Sequence, residues 1–212
     1  MLTTLTEKAA PGKAALLIVD MQNDFCHPEG AGAVNGGDVS HCVAMAPRLK
    51  ELIASAREAG VLPIFIRAVH NRWTDSPPRL DRNDGRKAGI CREGTWGADW
   101  YGVAPEPGDP VVTKHRYSAF INTDLDLILR AQGVKSIILT GVATNGCVES
   151  TARDGHMLDY YTVFVDDCSA TSGGTEPHGF ALKNIGRAFG TVVQGADLME
   201  AWSGAPEPVA AG

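Results

Sequence analysis

Three side chains suited to covalent chemistry each follow a short apolar stretch of the chain. Asp20 follows the run ALLIV, Lys114 ends the stretch VVTK, and Cys147 closes the turn GVATNGC. The thiolate is the nucleophilic form of cysteine, and a neighbouring cation and a helix N-terminus raise the thiolate fraction. A partly buried carboxylate paired with that cation can accept the thiol proton and return it to a leaving amine. These residue types therefore indicate attack on a carbonyl carbon, with backbone N–H groups of the turn available for the oxyanion.

The alternation of apolar runs with helix-like periodic segments predicts the elements that position these side chains. Strands are expected at 15–20, 61–67, 111–114, 136–141, 162–167 and 191–194. Helices are expected at 47–59, with Pro47 in the first turn, and at 123–132, 147–158, 177–189 and 197–202. This alternation predicts an α/β fold, a parallel sheet with helices on both faces. Ligands of such sheets bind beyond the carboxyl ends of the strands, so the three side chains should meet at one edge.

Composition narrows the class of protein. The 212 residues are 44% hydrophobic and 21% charged, which predicts one sizeable core and a single domain over 1–212, ordered from about 14 to 202, with a flexible tail at 203–212. A net charge of −6 gives no basic surface for nucleic acid or anionic lipid, so a small-molecule substrate is expected. The N-terminus lacks the apolar region of a signal peptide, no stretch is long enough to span a bilayer, and the five cysteines have no CxxC spacing. A cytoplasmic protein with reduced thiols is expected.

Three motifs occur in order along the chain: LLIVDMQNDF, the lysine of VVTKHRYSAF, and GVATNGCVESTARDG. Together they resemble the isochorismatase-like cysteine hydrolases, and within them the ureidoacrylate and N-carbamoyl amidohydrolases, over about 14 to 194. The resemblance implies a Rossmann-like three-layer sandwich with a six-stranded, mostly parallel sheet. It also implies a catalytic triad of Asp20, Lys114 and Cys147, a cis peptide bond between Val142 and Ala143, and an oxyanion hole made by the amides of Ala143 and Cys147.

The resemblance implies an amidohydrolase that cleaves a C–N bond of a small ureide, N-carbamoyl compound or amide through a thioester-type intermediate. Hydrolysis of a cyclic amide on the same triad stays open, as do an isochorismatase-type vinyl-ether hydrolase and a binding protein without activity. A thiol at position 147 argues against the vinyl-ether reaction, which needs none. Relatives generally associate, and the segment 68–109 contains Trp73, Trp96 and Trp100, so a homo-oligomer, either a dimer or a tetramer, is expected.

The nicotinamidase branch of these enzymes holds a metal with an Asp-x-His motif and a later histidine after the second strand. In the corresponding RAVHNRW only His70 is present, so no metal and no cofactor are expected. His115, His156 and His178 have no spacing that favours metal binding or acid–base chemistry over surface or core positions.

Several residues near the motifs are candidates for binding the substrate, either beside Asp20 or as an aromatic wall. The predicted contacts are Asn23, Phe25, Trp96, Tyr117, Phe120 and Asn145. Trp100 could extend that wall, and Cys26 could line the pocket. Arg92 and Glu93 could bind a polar group of the substrate. The segment 68–109 has little periodicity, which indicates loops and a short lid over the site.

Overall fold

The computed structural model describes residues 1–81, 85 and 88–204, which form one sheet of six strands in the order β3-β2-β1-β4-β5-β6. The strands are β1 (Ala14–Val19), β2 (Leu62–Ala68), β3 (Val111–Lys114), β4 (Ser136–Val142), β5 (Tyr161–Ala170) and β6 (Thr191–Val193). The helices are α1 (Leu5–Lys8), α2 (Asn23–Cys26), α3 (Ala31–Val34), α4 (Ser40–Glu58), α5 (Pro77–Leu80), α6 (Leu125–Ala131), α7 (Glu149–Met157), α8 (Thr175–Ala188) and α9 (Gly195–Ser203). All neighbouring strands are parallel, which confirms the predicted α/β class.

The central strand β1 shows why the fold has three layers. All six of its residues are buried, and alternate side chains enter two separate cores. Leu16 and Ile18 pack in the core beneath α4 and α9, whereas Leu17 and Val19 pack in the core beneath α6, α7 and α8. The apolar run read from the sequence is therefore a strand covered on both faces.

Helix α4 corrects the predicted position of Pro47. The helix begins at Ser40, so Pro47 lies inside it and not in its first turn. An interior proline costs about 3 kcal/mol because it removes one helical hydrogen bond. The turns before it bury Cys42, Met45 and Ala46 in the core, and this burial favours the longer helix.

Most other helices and strands begin or end at residues that differ from the prediction. Strand β5 runs to Ala170, three residues beyond the predicted end. Helix α7 is preceded by a π-helical turn, Thr144–Val148, whose last two residues were predicted to begin the helix. The segment 68–109 contains only α5 and a 3₁₀ turn, Trp96–Ala98, among its described residues. The predicted tail falls largely outside the described part of the chain, which ends at Gly204.

Within the described residues, no helix is both long enough and apolar enough to cross a bilayer. The cytoplasmic location and the homo-oligomer remain predictions.

Candidate active site

The end of β1 turns sharply at Asp20, and this turn places its carboxylate at the carboxyl edge of the sheet. Asp20 has φ of 51°, a left-handed conformation that Asp tolerates better than most residues. Its amide donates to the carbonyl of Ile66 on β2 at 2.8 Å, so the backbone stays tied to the sheet while the side chain leaves it. The side chain is fully buried, and Oδ2 lies 2.7 Å from Nζ of Lys114.

Lys114 ends β3 and joins the carboxylate to the thiol. Its ammonium group lies 3.2 Å from Sγ of Cys147 and donates to the carbonyl of Arg116 at 3.1 Å. Although burial by itself disfavours the charged form, the carboxylate of Asp20 and the hydrogen-bond acceptor Sγ of Cys147 outweigh it and raise the pKa of Lys114. Lys114 is therefore a fixed cation that contacts both other members of the group.

Cys147 lines a cavity and is otherwise buried. Burial and the charge of Asp20 raise its pKa to about 12, while Lys114 lowers it by a smaller amount. Lys114 therefore acts on the thiol in the predicted direction, but burial and Asp20 outweigh it, so the pKa of Cys147 lies above its ordinary value.

A proton transfer from Cys147 to Asp20 would form a thiolate without changing the net charge of the buried group. A carboxylate, an ammonium and a neutral thiol would become a carboxylic acid, an ammonium and a thiolate. The transfer would also remove the repulsion between Asp20 and the thiolate, and the ammonium of Lys114, which lies 3.2 Å from Sγ, could then pair with the thiolate.

The turn that leads to Cys147 departs from regular structure at two points. Gly141 has φ of 98°, and a Cβ there would collide with the carbonyl of Val19 on the neighbouring strand, so only glycine lets β4 approach β1 here. The peptide bond between Val142 and Ala143 is cis. The carbonyl of Ala143 then accepts from the amides of Gly146 and Val148, which winds the π-helical turn and brings Cys147 to the sheet edge.

The thiol opens into a cavity of about 380 Å³, between the strand ends and the segment that follows β2. Its described lining is Phe25, Ala68, His70, Ser76, Pro78, Arg79, Ile90, Lys114, His115, Arg116, Tyr117 and Cys147. Two of the six predicted substrate contacts, Phe25 and Tyr117, are in this lining. The segment after β2 therefore covers the site with a loop and the short helix α5.

The other four predicted contacts are not in the described lining of this cavity. Asn23 donates to the carbonyl of Trp96, and the Trp96 ring packs edge-on against His27. Phe120 stacks on Tyr160 in the core beneath α6 and α7, and Asn145 is exposed on the π-helical turn. Proximity in sequence to a motif therefore does not by itself place a side chain in the cavity lining.

The remaining residues suggested by the sequence are also absent from the described lining. Cys26 packs in the core beneath α4, and Trp100 packs edge-on against Phe65. Arg92 forms an ion pair with Asp75, and Glu93 accepts a hydrogen bond from Asn71.

His70 lines the cavity, a position that the sequence did not predict for it. It follows the end of β2, is buried, and its Nδ1 has no hydrogen-bond partner among the described residues. Burial, helped by the charges of Arg79 and Lys114, lowers its pKa to about 3, so the imidazole is neutral at physiological pH. Its position just past a strand end is the signal that could have identified it.

The side chains here do not fit a metal site of the nicotinamidase type. Ala68 occupies the position two residues before His70, where that branch has its aspartate, and the rings of His70 and His115 are 6.5 Å apart. His115 directs Nδ1 at the carbonyl of Val69. Across the described residues, no three His, Cys, Asp or Glu side chains are grouped as metal ligands would be.

We expect chelators to leave activity unchanged, because this donor set would not retain a divalent ion. The measurement is ammonia release after dialysis against EDTA, with and without added zinc or manganese. Loss of activity with EDTA and recovery with one of these ions would contradict the prediction.

The comparisons with known proteins agree with this geometry. The isochorismatase domain model matches residues 14–197. A ureidoacrylate amidohydrolase, RutB, of Enterobacter sp. (strain 638) is 36% identical over 92% of this chain and 91% of its own length. A cysteine hydrolase from Pseudomonas syringae pv. phaseolicola superposes with a TM-score of 0.81 at 28% identity, over 91% of this chain and 93% of that one. An N-carbamoylsarcosine amidase from Thermoplasma acidophilum gives 0.70 at 27% identity, over 86% and 96%. With its sheet order, its strand-end triad and a domain match over most of its length, the chain belongs to the isochorismatase family.

Proposed function

We propose that the protein is a metal-independent cysteine amidohydrolase that acts on a small ureide or N-carbamoyl compound. The observation that carries the proposal is the contact of one buried ammonium, Lys114, with both the carboxylate of Asp20 and the thiol of Cys147, at 2.7 and 3.2 Å. The thiol faces a cavity of about 380 Å³, which suits a small molecule. Two relatives described above carry amidohydrolase or amidase names, and the triad supplies chemistry of that kind.

The proposed reaction has two halves. In the first, Sγ of Cys147 bonds to the carbonyl carbon while its proton moves to Asp20, and the amides of Ala143 and Cys147 receive the oxyanion. Asp20 then protonates the leaving nitrogen as the C–N bond breaks, leaving an acyl or carbamoyl thioester. In the second half, water gives a proton to Asp20 and its oxygen to the carbonyl carbon, and the released thiolate takes the proton back.

The charge of the cavity wall supports a substrate with a carboxylate. The described lining includes Arg79 and Arg116 but no Asp or Glu, and of these two cations Arg79 forms an ion pair with Asp75 at 2.9 Å. Arg116 is exposed and donates to the backbone carbonyls of Thr74 and His115, and no described carboxylate pairs with it. Phe25, Pro78 and Ile90 give the cavity an apolar side as well. An N-carbamoyl amino acid or a ureido acid places a carboxylate a few bonds from the scissile carbonyl and matches this wall.

An ammonia-release screen tests the proposed function directly. The substrates are ureido acids, N-carbamoyl amino acids, their neutral amides, simple primary amides and lactams. We expect turnover of the first two groups at the highest kcat/KM. Turnover confined to lactams, or no ammonia from any compound, would contradict the proposal.

Replacing Arg116 by glutamine tests the role of its charge. A hydrogen bond to a charged group contributes about 1.5 to 3 kcal/mol when buried, and partial exposure here reduces it to an expected tenfold rise in KM for the anionic ureide. The neutral amide of the same compound should lose far less. Arg187→Gln removes the same charge from the exposed face of α8 and serves as the matched control. Equal losses for the charged and neutral compounds would remove Arg116 from carboxylate recognition.

A further inference from the structure

A network of hydrogen-bonded side chains, formed by Thr144, His178, Asp166 and Gln194, reaches the π-helical turn that contains Cys147. Oγ1 of Thr144 lies 2.8 Å from Nδ1 of His178, and Nε2 of His178 lies 2.8 Å from Oδ1 of Asp166. The side-chain amide of Gln194 donates to Oδ2 of the same aspartate at 2.9 Å. The network therefore links the π-helical turn to α8, β5 and the residue after β6.

One assignment of donors and acceptors satisfies every hydrogen bond of this network. The carboxylate of Asp166 only accepts, so Nε2 of His178 carries the proton and Nδ1 is left to accept from the hydroxyl of Thr144. This assignment follows from the network of donors and acceptors.

A hydroxyl, an imidazole and a carboxylate in this order also form the catalytic triad of serine hydrolases, but this group cannot act in that way. The hydroxyl of Thr144 belongs to a fully buried residue that is not in the described cavity lining. A nucleophile must reach the substrate, and Thr144 does not.

The position of Thr144 indicates what the network does instead. Thr144 begins the π-helical turn, directly after Ala143 and three residues before Cys147. Helix α8 packs against this turn and brings His178 to it. A π-helical turn has a looser hydrogen-bond pattern than an α-helix, and Gly146 inside it adds backbone freedom. A side-chain anchor at Thr144 would hold the first residue of the turn in place, directly beside Ala143.

We propose that Asp166, His178 and Thr144 are positioning residues that hold the amides of Ala143 and Cys147 at the oxyanion. The inference rests on the proposed amidohydrolase function, because only an acyl-transfer reaction needs an oxyanion hole. Donors of this kind act through a fixed geometry, and a misplacement of about 1 Å can cost about 100-fold in rate. Neither Asp166 nor His178 contacts the reacting atoms in this mechanism; both act through Thr144.

Two variants remove the hydrogen bond between the network and the π-helical turn. Thr144→Val keeps the shape of the side chain and removes the hydroxyl, and His178→Gln keeps a donor near Asp166 but loses the group at Nδ1. We expect both to lower kcat by about 10- to 100-fold with little change in KM. Thr144→Ser restores the hydroxyl and should keep activity within about threefold of the original protein. His156→Gln, on the exposed part of α7, is the control for loss of a histidine.

Two measurements on Cys147 separate positioning of the oxyanion hole from general damage to the site. Alkylation by iodoacetamide displaces iodide and forms no oxyanion, so its rate should stay within about threefold in Thr144→Val and His178→Gln. Butyraldehyde adds to the thiol and forms a tetrahedral adduct whose oxygen occupies the oxyanion hole. Its affinity, measured by protection against alkylation, should fall by about 10- to 100-fold in these variants, in parallel with kcat.

The outcomes decide the proposal without reference to the natural substrate. Weaker butyraldehyde binding at an unchanged alkylation rate supports it. Butyraldehyde affinity within twofold of the original protein in both folded variants, or alkylation that slows in the same proportion, overturns it. If Thr144→Val does not fold, His178→Gln and Thr144→Ser carry the comparison. Absence of ammonia release by the unmodified protein would contradict the proposed function alone, because the butyraldehyde measurement needs no turnover.

Discussion

Replacing Cys147 by serine is expected to lower kcat by about 10⁴-fold or more while the fold is retained. A serine hydroxyl is a poor nucleophile at neutral pH unless a matched base activates it, and loss of a nucleophile in a catalytic triad costs up to about 10⁶-fold. Substitution of Sγ by the smaller Oγ changes little in a site that opens to a cavity, so stability should be preserved. The measurement is ammonia release on the substrate found by the screen, with circular dichroism to confirm the fold.

A matched control uses another buried cysteine. Cys168 lies on β5, is buried, and has a pKa that burial and Asp167 raise to about 12, yet it is not in the described cavity lining. Cys168→Ser should therefore keep full activity for each folded molecule. Activity of Cys147→Ser within about threefold of the original protein would show that the thiol is not the nucleophile.

The position of the triad could be predicted from the sequence because it depends on topology. Asp20, Lys114 and Cys147 each follow an apolar run, and the parallel sheet brings the carboxyl ends of its strands to one edge. The switch point lies between β1 and β4, where Asp20 and the turn to Cys147 meet, and the long side chain of Lys114 spans the width of β2 from β3. Periodicity and strand order are enough for this inference.

The cavity wall could not be predicted in the same way. Its residues come from the segment after β2, where no repeat or strand fixes the direction of side chains. Trp96 and Phe120 have suitable chemistry, but hydrogen bonds and packing that span many residues turn them toward His27 and Tyr160. His178 also illustrates the limit, because its partners Thr144 and Asp166 become neighbours only once α8 packs against the sheet edge.

The ionisation of the thiol is a further point where residue types alone mislead. A lysine beside a cysteine suggests a lowered pKa, but desolvation acts on the thiolate in the opposite direction and is stronger here. Asp20 adds to desolvation, because it is a charge of the same sign as the thiolate. The size of these opposing effects depends on burial and distance, and neither can be determined from the sequence alone.

Asp20→Asn and Lys114→Met are expected to move the alkylation of Cys147 in opposite directions along the pH scale. Asp20 is, after burial, the largest cause of the raised pKa of the thiol, so Asp20→Asn should lower that pKa and speed labelling by iodoacetamide at a fixed pH. Each unit of pKa gives about a tenfold change in thiolate fraction, and the weaker nucleophilicity of a less basic thiolate offsets part of the gain. Lys114 lowers the pKa of the thiol, so Lys114→Met should slow labelling.

Amide hydrolysis should respond differently from alkylation in Asp20→Asn. Alkylation needs only the thiolate, whereas hydrolysis also needs a group that gives a proton to the leaving nitrogen. Asparagine cannot supply that proton, so kcat should fall by about 10² to 10⁴ even as the thiol becomes more reactive toward iodoacetamide. Parallel loss of both activities in a folded variant would contradict a separate role of Asp20 as the proton donor to the leaving nitrogen.

Lys114→Met requires a control for stability, because it leaves Asp20 buried without its cation. Breaking a buried pair by removing one member costs about 3 to 5 kcal/mol, whereas replacing both members with neutral groups of similar size is often tolerated. The double variant Asp20→Asn/Lys114→Met should therefore unfold at a higher temperature than Lys114→Met alone, and its labelling profile should lie between those of the single variants. Labelling rates from pH 6 to pH 10 in all four proteins give the result. If the four profiles coincide, neither charge acts on Cys147, and the proton transfer from thiol to Asp20 cannot be the way this site activates its nucleophile.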